Sequence, residues 1–207
     1  MAHKTVWLIR HGKTRGNAQR RFVGRGTDEP LSEEGIREAR MRREKAEENP
    51  NWPRAPLRVC SSPMRRAVQT AEILFDRPEF TRIEDLAELD FGLFEGKNHA
   101  ELAGDPSYQA WLDSNGSLPV PGGEDLESFG RRSFRGFLEA LGDPLQKERV
   151  AVVCHGGSIM AVMSTLTGED YYTFIADNLS GYCLEIEMND EGICNFTYHG
   201  YDSRAPR

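Results

Sequence analysis

Arg10-His11-Gly12 follows directly on the apolar run Val6-Trp7-Leu8-Ile9. An arginine beside a histidine at the end of a buried strand sets two cationic groups together. That is unfavourable unless an anion sits between them. Two other places in the chain repeat the theme. The strand-like LRVCS, residues 57–61, runs through Ser62 to Arg65-Arg66, and the strand-like RVAVVC, residues 149–154, runs into His155-Gly156-Gly157. Arginine forks match phosphate oxygens, a histidine can attack phosphorus, and glycine lets backbone approach a ligand closely. These residue types together point to phosphoryl transfer, which needs positioned and neutralised oxygens. It also needs a proton donor for the leaving oxygen, either a carboxyl or a third histidine.

The elements that must position these residues alternate between short apolar runs and amphipathic stretches. VWLI predicts a first strand, and LSEEGIREARMRREKAEE a polar helix capped by Ser32, with Glu33 and Glu34 at its positive end. NPNWPRAP, with three prolines in eight residues, reads as a loop. Ser62-Pro63 predicts a helix start, with serine as N-cap and proline in the first turn. Leu126, Phe129, Phe134, Phe137, Leu138 and Leu141 recur at helical spacing before Gly142, a plausible stop. RVAVVC is the most strand-like stretch, apolar as in a strand buried on both faces. GYCLEIEM and ICNFTYH flank Asn-Asp-Glu-Gly and predict a terminal hairpin. Strand-loop-helix units imply an α/β fold with a mostly parallel sheet, whose ligands bind beyond the carboxyl ends of the strands. Such a sheet brings His11 and His155, far apart in sequence, to one edge.

The whole-chain numbers bound the partner. The chain has 207 residues, 38% hydrophobic and 29% charged, with a formal net charge of −7. Nucleic acid and anionic membrane surfaces are thereby excluded as partners of the whole molecule, so an anion site must be local. No apolar run reaches the roughly 20 residues of a transmembrane helix, and VWLI is too short for a signal peptide. Cys60, Cys154, Cys183 and Cys194 match no paired zinc-ligand spacing and read as reduced thiols of a cytoplasmic protein.

LIRHGKTRGN resembles the Arg-His-Gly signature of the histidine phosphatase superfamily, in its phosphoglycerate-mutase-like branch. SSPMRRAVQTA, LAELDFGLFEG, PGGEDLESFGRR and VVCHGGSIMAV resemble further blocks of that family, in order, from about residue 6 to 166. DEPLSEEG resembles its first-helix entry. The resemblance implies a three-layer α/β/α fold, a mostly parallel central sheet with an antiparallel edge, over one domain of residues 1–207. Residues 97–120 would form a specificity insert or cap. It implies His11 as the nucleophile that becomes a phosphohistidine, and Arg10, Arg66 and His155 as the clamp on the phosphoryl oxygens. Glu88 would protonate the leaving group and then activate water. Thr14, Asn17, Gly24 and the Gly156 backbone would line the pocket. No cofactor and no metal is implied. The partner is a small phosphorylated metabolite, and the protein a monomer or homodimer.

Where the family's mutases carry an arginine directly after the acid, this chain has Leu89. Their tyrosine two residues further is Phe91, their arginine pair falls in YQAWLDSNG, and their Ser/Thr before the first-loop glycine is Val23. The expectation is therefore a phosphatase of a small phosphomonoester, with the cofactor-dependent mutase as the alternative. Arg20 and Arg21 read as a solvated basic loop, unless one faces the pocket and meets a second anionic group. Three rivals stand beside this. Cys60-x5-Arg66 fits the loop of cysteine-dependent phosphatases but lacks glycine, and Pro63 removes a backbone donor. A non-catalytic sensor of phosphorylated metabolites would keep the same pocket without turnover. A metal hydrolase using His11, Cys154 and His155 conflicts with the alternation of side chains along a strand. His3, His99 and His199 read as surface or structural.

Overall fold

The computed structural model describes residues 1–45, 52–53, 58–76 and 80–201. At its centre is a six-stranded sheet in the order β3-β2-β4-β1-β5-β6. The strands are β1 (Ala2–Arg10), β2 (Arg58–Ser61), β3 (Thr81–Arg82), β4 (Glu148–Cys154), β5 (Gly181–Asn189) and β6 (Gly192–Tyr201). Strands β3, β2, β4 and β1 run parallel, while β5 and β6 add the antiparallel edge. The two-residue β3 had no signal in the sequence. Most of the proline-rich loop 49–56, and the far end of the first helix pattern, lie outside the described residues.

Alternation along the strands splits the core in two. Val6, Leu8, Val150, Val152, Leu184 and Ile186 face helices α6 (Leu126–Leu141) and α7 (Gly156–Thr167). Trp7, Ile9, Val59, Ala151 and Val153 face the helices α2 (Glu33–Glu44) and α3 (Arg65–Phe75). The result is the expected three-layer α/β/α arrangement. Each buried Val, Ile, Leu or Phe contributes about 1.5–3 kcal/mol of transfer free energy. The α2 sequence is strongly polar, yet its inner face is small where it packs: Ala39 joins the core formed with α3, and Gly35 lies against the Lys13 backbone. Ser32 caps it, accepting the Gly35 N–H at 3.0 Å. The α6 helix ends at Gly142 in a positive-φ conformation (φ 66°), as its glycine predicts. Phe129 and Phe137 are buried, whereas Leu138 points outward.

One helix start differs from expectation. Ser62 does not cap α3: the N-cap is Met64, which has no side-chain cap bond. The Ser62 hydroxyl sits one step outside the helix, accepting the Met64 N–H at 3.3 Å and meeting His155 Nε2 at 2.7 Å. Besides 3₁₀ turns at Glu84–Leu86 and Tyr171–Phe174, four short segments lie around the strand ends. They are α1 (Arg15–Ala18), α4 (His99–Leu102), α5 (Pro106–Asp113) and a 3₁₀ turn at Gly92–Phe94. Phe94, Leu102, Tyr108 and Val120 make a small core over the sheet edge, packed against Phe22, Phe91 and Trp111.

Candidate active site

Strand register brings the three chemical segments together. Arg10 pairs with Cys154 across β1 and β4, and Ser61 with Val153 across β2 and β4. All three strands therefore end at one level, and the residues after them, His11, Ser62 and His155, meet at that edge. The His11 and His155 ring centroids are 5.1 Å apart.

His11 is buried, and its Nδ1 lies 2.7 Å from the Gly12 carbonyl oxygen. A carbonyl only accepts, so Nδ1 carries the proton and Nε2 is left with its lone pair. Burial, then the Arg66 and Arg10 charges, hold its pKa well below the ordinary 6.5. The imidazole is neutral and nucleophilic near neutral pH. Asn178 fixes the backbone, its Nδ2 donating to the His11 carbonyl at 2.8 Å.

Arg10 donates from Nη1 to the Ala176 carbonyl at 2.7 Å. Its Nε is buried and has no hydrogen-bond partner among the described residues. A buried guanidinium N–H without an acceptor is costly unless an anion arrives to take it. Arg66 is fully buried and surrounded by acceptors: His155 Nδ1 at 3.3 Å, and the carbonyls of Thr27, Val23 and Gly24 at 2.8, 3.2 and 3.1 Å. A surface pairing with Glu72 is therefore ruled out, whereas its neighbour Arg65 is exposed.

His155, expected to touch a bound anion directly, has both ring nitrogens engaged. Nδ1 accepts from Arg66, so Nε2 carries the proton and donates to the Ser62 hydroxyl. Burial, Arg66, His11 and Arg10 hold its pKa well below the ordinary value. In this arrangement it braces Arg66 from behind.

Glu88 is buried at the cleft, and its two oxygens accept backbone N–H groups from Leu89 at 3.0 Å and Gly157 at 3.1 Å. Burial raises its pKa above the ordinary carboxylate value, outweighing those two bonds and the nearby Arg66 and Arg10. Of the nearby carboxylates, Asp85 is paired with Arg135 and Asp90 caps the Gly92 N–H. Gly157 is required here: a Cβ on it would lie 2.2 Å from Glu88 Oε1.

Arg10, His11, Asn17, Glu88, Gly156 and Gly157 line a cleft of about 190 Å³. Thr14 and Gly24, expected in the lining, are not there. Thr14 is buried and its hydroxyl caps α1, accepting the Asn17 N–H at 3.1 Å. Gly24 sits where a Cβ would fall 2.0 Å from the Leu89 carbonyl, and its own carbonyl holds Arg66. Both shape the pocket from its second layer.

Several residues escaped sequence reasoning. Glu95 clamps the 24–27 loop, accepting from the Gly24 and Gly26 N–H groups and the Thr27 hydroxyl at 3.1, 3.1 and 2.7 Å. That loop supplies the carbonyls that hold Arg66. Arg132 bonds the carbonyls of Asp85, Ala87 and Glu88, and is itself gripped by Glu124 at 2.7 Å. The PGGE segment thus braces the backbone that carries Glu88. Each is an ordinary surface-type residue in a one-dimensional reading, and only its burial and partners reveal it.

The rival thiol fails on geometry. Cys60 packs into the core beneath α6, and burial pushes its pKa up to about 12. Cys154 also packs in that core, on the other face of β4 from Val153. No group of three or more His, Cys, Asp or Glu side chains that could hold a metal occurs among the described residues. No helix among them is long and apolar enough to cross a membrane.

Comparison with known proteins agrees with the geometry. A curated relative, "Probable phosphoglycerate mutase GpmB" of Yersinia pestis (strain Pestoides F), is 31% identical over 169 residues, covering 79% of this chain and 74% of its own. A chain from Escherichia coli strain K-12, named provisionally as an alpha-ribazole-5'-P phosphatase, superposes with a TM-score of 0.82 at 25% identity. That match covers 99% of this chain and 98% of the other. A phosphoserine phosphatase from Entamoeba histolytica superposes with a TM-score of 0.73 at 24% identity, over 93% and 96% of the two chains, and shares the fold. The sequence profile of the histidine phosphatase superfamily (branch 1) matches residues 6–195, and the chain belongs to that family.

Proposed function

We propose that this protein hydrolyses a small phosphomonoester through a phosphohistidine on His11, without a metal ion. The observation that carries this reading is the pairing of a bare, neutral His11 Nε2 with a buried Glu88 whose pKa is raised. One is a nucleophile and the other an acid, and both line the same cleft. In the first step Nε2 attacks phosphorus, the P–O bond to the alcohol breaks, and Glu88 gives its proton to the departing oxygen. Arg10 takes a phosphoryl oxygen through its unpartnered Nε, and the buried Arg66, held by His155 and the carbonyls of Val23, Gly24 and Thr27, adds its positive charge to the site. His155 holds Arg66 in place, and Asn17 adds an amide donor. In the second step the Glu88 carboxylate takes a proton from water as that water attacks phosphorus. Inorganic phosphate leaves and His11 is restored.

A mutase reading is favoured by the name of the Yersinia relative. Against it stand Leu89, buried in the core, and Val23 and Phe91 in the cleft wall, where the family's mutases carry groups for a carboxylate. The deciding experiment is a screen of phosphorylated metabolites and p-nitrophenyl phosphate in EDTA at neutral pH. It includes 3-phosphoglycerate with and without its bisphosphate. Phosphate release that survives EDTA and vanishes in His11→Ala supports a metal-independent phosphatase. Interconversion of phosphoglycerates without phosphate release supports the mutase instead. Loss of activity in EDTA, restored by a divalent cation, overturns the metal-free reading.

A further inference from the structure

Beyond the phosphoryl-binding end, the cleft is lined by Phe22, Val23, Phe91, Met160, Ile175 and Arg21. Five of these six are apolar. Arg21 is the one cation among them, and it is already spent. Its two terminal nitrogens grip the Glu101 carboxylate at 2.6 and 3.1 Å, Nη1 also meets the Gly96 carbonyl, and Nε donates to Gln19 at 2.8 Å. Glu101 is held in turn as part of the α4 capping box. A second carboxylate or phosphate on the substrate would have to break a bidentate pair to reach this guanidinium.

The apolar wall is also stiff. Phe22 and Phe91 have ring centroids 5.0 Å apart. Phe22 is braced edge-on by Tyr108 and Trp111 at 5.9 and 5.8 Å, from the 97–120 segment. A carboxylate set against such a wall loses its hydration and gains no partner, whereas a ring or alkyl chain gains contact. At about 190 Å³ the cleft lies below the roughly 300–1,000 Å³ of sites for drug-sized ligands, so the group it takes is small.

Building on the phosphatase reading above, we propose that the substrate is a phosphomonoester with an uncharged, apolar leaving group about the size of one ring. Phe22, Phe91 and Met160 receive that group, and the 97–120 segment is the cap that holds the wall in place. Phosphorylated hydroxy acids such as phosphoglycerate fall outside this class.

The test compares benzyl phosphate with 2-hydroxyethyl phosphate and 3-phosphoglycerate, each by kcat/KM for phosphate release from the wild-type enzyme. An apolar contact of this size gives about a 10–200-fold preference for the benzyl ester. Phe91→Ala then removes most of that preference, lowering the benzyl-to-hydroxyethyl ratio of kcat/KM by roughly 10-fold or more. Equal rates on the two uncharged esters, or a preference for 3-phosphoglycerate, overturn the proposal while leaving the phosphatase reading intact. So does an equal loss on both esters in a folded Phe91→Ala. Should that variant not fold, the wild-type comparison decides alone. No phosphate release from any ester overturns both the phosphatase reading and this one.

Discussion

Replacing Glu88 with glutamine separates the proton donor from the rest of the site. The side chain keeps its shape, but one of its two ends becomes an NH₂ facing a backbone N–H, since Leu89 and Gly157 each donate to a different oxygen. One buried hydrogen bond is lost, at a cost of about 1–3 kcal/mol of stability. For a chain of this length that lowers Tm by about 2–12 °C. The catalytic effect is larger and depends on the substrate. An alkyl ester such as benzyl phosphate leaves as a poor alkoxide unless protonated, so kcat/KM falls about 10²–10⁴-fold. That corresponds to about 3–5 kcal/mol of barrier. p-Nitrophenolate departs without help, so kcat/KM for its ester stays near wild type. Turnover of that ester still slows, because Glu88 also activates water in the second step. The assay is paired kcat/KM on the two esters, with rapid mixing to detect a burst of nitrophenolate. A burst with trapped phosphoenzyme is the expected signature. An equal loss of kcat/KM on both esters, in a variant that melts as a folded protein, refutes the assignment of Glu88 as proton donor.

Other outcomes follow from the same geometry. His11 must be neutral to attack and Glu88 must be protonated to assist, so kcat/KM against pH is a bell. The acid limb reports His11, displaced below its ordinary 6.5, and the alkaline limb reports Glu88, displaced above its ordinary 4.5; the alkaline limb disappears in Glu88→Gln. Gly157→Ala places a Cβ 2.2 Å from Glu88 Oε1 and pushes the carboxyl aside, so it reproduces the leaving-group dependence of Glu88→Gln while leaving residue 88 a glutamate. Cys60→Ala leaves kcat/KM near wild type because the buried thiol is not ionised, whereas His11→Ala abolishes phosphoenzyme formation. Gly35→Ala sets a Cβ 2.1 Å from the Lys13 carbonyl, which wedges α2 away from the loop after His11, and a thermal melt should register about 1–3 kcal/mol.

What could be read along the chain was whatever local pattern dictates. The apolar runs of β1 and β4, the Ser32 cap, the Gly142 stop and the β5–β6 hairpin depend on a few neighbouring residues each, and all formed where expected. Strands of a parallel sheet end on one edge, so the convergence of Arg10, His11, Arg66 and His155 followed from strand order without any side-chain detail. Partnership across the fold was different. Ser62 sits before the helix rather than capping it, accepting the Met64 N–H while it meets His155, which is 93 residues away in sequence and 2.7 Å away in space. Thr14 and Gly24 went to the second layer because their hydroxyl and carbonyl are used inside the protein. The tautomers of the two histidines, the elevated pKa of Glu88, the bracing by Glu95 and Arg132, and the occupied fork of Arg21 all depend on burial and on long-range contacts. Residue types and spacing determined which chemistry was available. Only the tertiary structure decided which donor was left free to use it, because a polar group's availability depends on what else the fold has brought within its reach.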